Sequence, residues 1–375
     1  MNLLEHHAKT LILAPSGIPL LASTVCRTVD DAAMVAESLG PCVIKAQVPS
    51  GKRGKAGGIH LAQTPAEARA GAAAILGMEI DGYRTEEVLV EQLAPIAREF
   101  YASVLHAPAE RASLVLFATE GGMDIEAIAN ENPDAIRRHV VTTPDRFDHG
   151  DAMTMLEGLG LGAAQARVAE ILVTLYRRYR ETDAELIEIN PLAELKDGRV
   201  VALDCKFTLD DAAAFRQPGI AVVAAPERMT NLEAEARNLG LKFIELDGDI
   251  GILANGAGLT MTTMDVVSHL GGKPANFLEI GGDAYTKAEV ALTLLLARPD
   301  VRALVVNFCG AFARTDVMAA GVAAAWRSLK PDVPMFFSVH GTGEDEAVAL
   351  VRQEFGVEPF DLMEDAVLAA IEAAR

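Results

Sequence analysis

The hydrophobic pattern changes character along this chain. From residue 248 onward, apolar runs at 250–254, 276–280, 302–308 and 333–339 alternate with helix-period stretches at 260–270, 286–297, 315–328 and 344–354. Short apolar runs separated by helices predict a parallel sheet with right-handed crossovers. Before about residue 215 the pattern is mixed. Helices are expected at 65–77 and 163–180, and strands at 42–48, 87–91, 113–118, 185–190 and 199–205, without simple alternation. The segment 216–245, with Pro218, Gly219 and Pro226 before a helical stretch, reads as the inter-domain connection.

Two domains follow from this pattern: an α+β domain over 1–236, and an open α/β domain of flavodoxin type over 237–375. Three strands of the second domain run into small-residue loops, at Asn255–Gly258, Gly281–Gly282 and Cys309–Ala311. Ligands of open α/β sheets bind at that edge, where helix N-termini favour anions.

Composition narrows the function classes. A net charge of −20 argues against nucleic-acid and anionic-membrane binding. The chain has no run near the roughly 20 apolar residues that span a bilayer, and no signal peptide at its start. Its four cysteines show no CxxC spacing, so a zinc site and a disulfide framework are not expected. The expected setting is the cytoplasm.

Against this acidic background, Lys45, Lys52, Arg53 and Lys55 form a cationic cluster within eleven residues. Glycines between the cations would let backbone N–H groups close on phosphate oxygens, although the P-loop spacing is absent. A solvated loop is the plainer alternative. Glu91, ending an apolar run, is either an acceptor for adenine or ribose or an exposed strand-end carboxylate.

The segment 185–206, ELIEINPLAELKDGRVVALDCK, is the sharpest local feature. Strand alternation puts Glu188 and Asn190 on one face. A hairpin loop at Lys196-Asp197-Gly198 sets Asn190 opposite Asp204 and Glu188 opposite Lys206. Asn190 and Asp204 offer two oxygens and a single charge, which suits Mg²⁺ completed by phosphates and waters. A polar cross-strand face with a Glu–Lys pair is the alternative.

The blocks MNLLEHHAK (1–9), VIKAQVPSGKRGKAGG (43–58), TEGGMDIE (119–126), LIEINPL (186–192), ALDCK (202–206), FRQP (215–218), LDGDIGILANGAGLTMTTMD (246–265) and KPANFLEIGG (273–282) resemble the β subunit of ADP-forming succinate–CoA ligase, the succinyl-CoA synthetase family. The resemblance runs essentially end to end. It implies an N-terminal ATP-grasp domain followed by a flavodoxin-like CoA-ligase domain, and a place in the tricarboxylic acid cycle. It also implies a separate α subunit, in an αβ or α2β2 assembly, which binds CoA and carries the phosphorylated histidine. No catalytic residue is then expected on this chain, and none of its eight histidines sits in a GHAGA-like loop.

Residue by residue, the resemblance implies ATP held by Lys45, Lys52, Arg53, Gly54, Glu91 and Glu99, with GTP not excluded. It implies Mg²⁺ on Asn190 and Asp204, and the small carboxylate facing Asn255 and the loop Ala311-Phe312-Ala313. The helix from Thr315 would aim its N-terminus at the phosphohistidine.

The departures concentrate in the second domain. A family segment like FGGIxRCD is here Cys309–Asp316, with Ala311 and Phe312. DVGGGA becomes Glu279–Ala284, adding Asp283, and an RLxGTN-like segment becomes Ser338–Gly343, losing an arginine. In the first domain a family glycine is Lys52. These changes leave open malate or another small acid in place of succinate, and also a non-catalytic nucleotide-binding paralogue. His340 ends a strand at the altered edge, where a hydrogen-bonded structural role outweighs a substrate contact.

Overall fold

A computed structural model of the chain describes residues 1–51, 53–122, 125, 135–142, 146–225, 229–280 and 287–375. It contains two compact units, Met1–Glu227 and Arg228–Arg375.

The first unit holds two larger antiparallel sheets. One contains β1 (Ser23–Cys26), β2 (Cys42–Ala46), β3 (Ile59–Ala62) and β4 (Val88–Gln92), in the order β1-β4-β2-β3. A short N-terminal helix, α1 (Glu5–His7), runs on as a π-helical turn over Ala8–Leu13. Helices α2 (Val29–Leu39) and α3 (Pro65–Ile75) contribute Ala32, Ala36, Ala68, Ala72 and Ile75 to the core beneath this sheet. Both helices start where the sequence provides a cap. Thr28 accepts from Asp31 N–H and Thr64 accepts from Glu67 N–H, with Pro65 in the first turn.

The second sheet contains β5 (Ile96–Ala107), β6 (Ala112–Ala118), β7 (Ile136–Val141), β8 (Ala184–Leu195), β9 (Val200–Ala202) and β10 (Lys206–Leu209). Its order is β9-β8-β5-β6-β7, with β10 also paired to β8. After the capped helix α4 (His149–Met155), helix α5 (Gln165–Glu181) buries Val168, Leu172, Leu175, Tyr176 and Tyr179 in the main core of the unit.

In the second unit, the expected strands are β12 (Ile250–Ala254), β13 (Asn276–Glu279), β14 (Ala303–Gly310) and β15 (Met335–Gly341). All are parallel, and the sheet order is β11-β13-β12-β14-β15. The added edge strand β11 (Lys242–Glu245) is antiparallel to β13. Helices α7 (Ala257–His269) and α11 (Met363–Ala374) cover one face. Helices α8 (Ala288–Leu296), α9 (Thr315–Leu329) and α10 (Glu344–Phe355) cover the other, as the crossover pattern requires.

Two expectations change. Residues 216–245 are not simply a connection: α6 (Asn231–Asn238) opens with a Thr230–Glu233 capping box, buries Ala236 in the second core, and leads into β11. The units accordingly divide at 227/228 rather than at 236/237. The long strand β5 was not expected either. Its run Ile96–Ala107 carries Arg98, Glu99, Tyr101 and Ser103, which blur the alternation, yet it pairs on both sides as a central strand.

Candidate functional site

The hairpin expected from strand parity is present. Glu188 pairs with Lys206 and Leu192 with Ala202, the same register on either side of Asn190 and Asp204. The return strand is broken between β9 and β10, and Asp204 sits in the break with its side chain 31% exposed. Gly198, at φ +82°, closes the loop by donating to Leu195 O at 2.8 Å.

Asn190 is fixed from the opposite side. The turn at Gly121-Gly122 lies so close to β5 that a Cβ on Gly121 would stand 2.3 Å from Phe100 O, and one on Gly122 2.6 Å from Glu99 Oε2. Only glycines allow that approach. It brings Gly122 N–H onto Asn190 Oδ1 at 2.7 Å, so Glu99 and Asn190 meet at one turn. Neighbouring Glu188 accepts from Tyr101 Oη at 3.0 Å.

The basic loop is exposed at Gly51 and from Gly54 to Gly57, Lys55 included, but Arg53 turns inward. Arg53 is buried and enters an ion cluster with Glu5, Lys9, Lys45, Glu91 and Asp204. Lys45 Nζ donates to Glu91 Oε1 at 2.7 Å, Glu5 Oε1 at 3.1 Å and Leu203 O at 2.6 Å. Lys9 Nζ lies 2.8 Å from Glu5 Oε1 and 2.5 Å from Glu91 Oε2, and also donates to Leu203 O. Arg53 reaches Glu5 Oε2 with Nη1 at 2.6 Å and Asp204 Oδ2 with Nη2 at 2.5 Å. Gly54 shapes the following turn, which closes from Gly58 N–H to Arg53 O at 2.8 Å. Lys52 lies outside the described residues.

A cleft of about 80 Å³ opens on this cluster, lined among others by Ser50, Gly51, Arg53, Glu188, Asn190 and Asp204. The structure therefore joins the basic loop and the hairpin face that the sequence treats as separate features. Glu91 is not an exposed strand-end carboxylate: it is buried, and each of its oxygens takes a lysine. Among the described residues no group of three or more His, Cys, Asp or Glu could hold a metal. The pair Asn190–Asp204 suits only a hard ion that retains waters or phosphate oxygens.

At the strand ends of the second unit, Asn255 spends its amide on the backbone of Cys309. It donates to Cys309 O at 2.9 Å and accepts from Cys309 N–H at 2.8 Å. The ends of β14 and β15 are braced by Thr342 N–H on Gly310 O and by Thr342 Oγ1 on Ala311 O, both at 2.9 Å. Gly341 is required there: its φ is +92°, and a Cβ would lie 2.1 Å from Gly310 O. Ala313 packs against the core, whereas Phe312 is 87% exposed. Arg314 forms a two-point pair with Asp316 at 2.9 and 3.0 Å. Helix α9 begins at Thr315 as expected, but the Thr315 N–H is taken by Thr342 O. His340 bonds Asp361 O at 2.9 Å, in keeping with a structural role. Gly281–Ala284 lie outside the described residues.

Comparison with known proteins decides the family. Residues 2–194 match the ATP-grasp domain and residues 253–370 the CoA-ligase domain. The GDP-forming succinate–CoA ligase subunit beta of Thermus thermophilus is 44% identical, over 94% of this chain and 93% of that protein. The ADP-forming succinate–CoA ligase subunit beta of Chloroflexus aurantiacus is 41% identical, over 100% and 99%. This chain belongs to the succinate–CoA ligase β-subunit family. Its fold is shared by ATP citrate lyase from Methanothrix soehngenii, with a TM-score of 0.73 over 99% of each chain at 21% identity. The first unit is thus an ATP-grasp domain and the second a CoA-ligase domain. No helix among the described residues is long and apolar enough to cross a membrane.

Within this β-subunit family member, the sequence reading assigned no role to Glu5 or Lys9. Their i, i+4 spacing on the first helical turn was a usable signal, and they form an ion pair. Burial alone would raise the Glu5 carboxyl, but the charges of Lys45, Lys9 and Arg53 outweigh it and hold it well below its ordinary value of 4.5. Burial alone would lower Lys9, but Glu5, Glu91 and Asp204 hold its ammonium above the ordinary 10.5. Burial pushes the Cys205 thiol well up, which keeps that cleft residue unreactive.

These shifts fix the direction of the pH dependence. A lowered carboxylate contributes stability that is present above 4.5 and lost as pH falls through its lower folded value. A raised ammonium contributes stability that is present below 10.5 and lost as pH climbs through its higher folded value. Melting temperature measured against pH should fall on the acid side below 4.5, and Glu5→Gln should flatten that limb. Superimposable acid limbs would mean that Glu5 is not linked to folding.

Proposed function

We propose that this chain is the β subunit of a nucleotide-dependent carboxylate–CoA ligase. In this proposal it transfers the γ-phosphoryl group of a nucleoside triphosphate to a histidine of an α partner. The bond from the γ-phosphorus to the bridging oxygen breaks, a phosphorus–nitrogen bond forms, and the nucleoside diphosphate leaves. The phosphohistidine then yields an acyl phosphate with the acid, and the CoA thiol displaces phosphate to give the thioester. CoA is assigned to the partner.

The observation that carries this proposal is the convergence of Arg53, Asn190 and Asp204 on one cleft, with Lys45 joined to Arg53 through Glu5. Arg53 would meet the phosphates, Lys45 would do so by exchanging one of its three present partners, Glu5, Glu91 and Leu203 O, for a phosphate oxygen, and the Gly54 turn would let backbone approach them. Asn190 and Asp204 would hold Mg²⁺, which supplies charge neutralisation for the triphosphate when bound. Glu99, beside the Gly121-Gly122 turn, is assigned to the nucleotide. Glu91 would act through Lys45 rather than on the nucleotide, because both its oxygens are occupied. Positioning and electrostatics suffice for phosphoryl transfer, so no covalent nucleophile is asked of this chain.

The acid is a small carboxylate, with succinate the default. Two features favour a different one. Phe312 stands exposed in the loop expected to face the acid, and Arg314 is already paired to Asp316, so it is not offered to a second carboxylate. The test is co-expression with an α subunit and a thioester assay over mono- and dicarboxylic acids, malate included, with ATP and GTP in parallel. The expected result is CoA thioester formation with succinate, and a preference for malate or another small acid over succinate would establish the changed-acid reading. Turnover of succinate alone would remove the changed-acid reading, and no turnover of any acid would favour a non-catalytic paralogue.

A further inference from the structure

Burying charge is costly unless every charge is matched, so a buried cluster of six ionisable groups calls for a reason. Here Glu5, Lys9, Lys45, Arg53 and Glu91 are all buried, and Asp204 is the member partly open to solvent. Three carboxylates face three cations. Glu5 touches all three cations: Oε1 takes Lys9 at 2.8 Å and Lys45 at 3.1 Å, and Oε2 takes Arg53 at 2.6 Å. Glu91 touches the two lysines, and Asp204 touches the arginine. The Glu5 carboxylate is therefore the strut between Lys45, on strand β2, and Arg53, in the loop beyond it.

Of the three cations only Arg53 lines the cleft, whereas Lys9 and Lys45 both spend their ammonium groups on Glu5, Glu91 and Leu203 O. The Lys9 charge offsets part of the charge of the two buried carboxylates.

We infer that Glu5 is a positioning residue for the phosphate-binding cations, holding Lys45 and Arg53 at a set separation, with Lys9 as its internal counter-charge. This inference rests on the proposed nucleotide site. Glu5 comes from the N-terminal turn, 40 residues from Lys45 and 48 from Arg53 in the chain, so the first helical turn is part of the cleft's construction. Positioning of this kind acts on affinity and rate through geometry, because small displacements of a binding cation weaken the contact steeply.

Two variants separate positioning from charge balance. Glu5→Asp keeps the charge and shortens the reach. Glu5→Gln combined with Lys9→Met removes one carboxylate and one cation, so the cluster stays balanced while the strut is lost. Equilibrium binding of Mg·ATP and Mg·GTP to the full chain is measured by calorimetry, with melting temperature alongside. Both variants should weaken binding of the preferred nucleotide by about 10-fold or more. The double variant should melt near wild type. Wild-type affinity in either folded variant would overturn the positioning role. Lys45→Met serves as the control: binding lost with Lys45→Met but unchanged in both Glu5 variants sinks this inference alone. Binding unchanged in all three sinks the nucleotide site itself.

Discussion

Lys45→Met is expected both to abolish nucleotide binding and to destabilise the fold. The substitution nearly preserves side-chain volume, so the loss is one of charge rather than packing. In the folded chain the Lys45 ammonium sits between Glu5 and Glu91 and also donates to Leu203 O. Removing it leaves two buried carboxylates to share Lys9, with Arg53 still on Glu5. Breaking a buried ion pair by deleting one partner costs about 3 to 5 kcal/mol. Urea unfolding should show a lower midpoint at an unchanged slope, and calorimetry should show no Mg·nucleotide binding. A variant that binds nucleotide as wild type does would place the phosphates elsewhere.

Asp204→Asn should have the opposite profile, with a small cost in stability and a large cost in function. Asp204 is partly exposed, and Asn can still accept the Cys205 N–H that Asp204 Oδ1 now accepts at 2.7 Å. Arg53 keeps Glu5 as a partner. The lost negative charge matters for the metal, since Asn190 alone offers one neutral oxygen. Phosphoryl transfer to the partner histidine should fall by about 100-fold at fixed Mg²⁺, with partial recovery as Mg²⁺ is raised. Unchanged transfer would take Asp204 out of the metal site.

The two units were legible in the sequence to different degrees, for physical reasons. The parallel sheet reads well because strands buried on both faces are continuous apolar runs and their helices repeat at a regular spacing. The hairpin at Lys196-Asp197-Gly198 also reads well. A fixed loop plus period-2 alternation determines the register, and Glu188 does pair with Lys206. Strand β5 escaped because Arg98, Glu99 and Ser103 interrupt its apolar pattern. Edge strand β11 escaped because four residues carry too little alternation.

The ion cluster was the deeper miss. Patterning reads charge as surface, so it offers an exposed carboxylate for Glu91 and a solvated loop for Arg53. Both are buried. Their partners lie tens of residues away, up to 151 between Arg53 and Asp204, and no local spacing announces such a contact. What the sequence could supply was the short-range member, the i, i+4 pair of Glu5 and Lys9.

Phosphoryl transfer itself is the most direct measurement. The wild-type chain, co-purified with an α partner, is incubated with Mg²⁺ and γ-labelled ATP or GTP, and label on the partner is followed as an acid-labile phosphohistidine. Label should accumulate on the partner for wild type, stay undetectable with Lys45→Met, and fall about 100-fold in rate with Asp204→Asn. A partner that takes no label from wild-type chain, or equal labelling with all three proteins, would contradict the assignment of nucleotide and metal to this cleft.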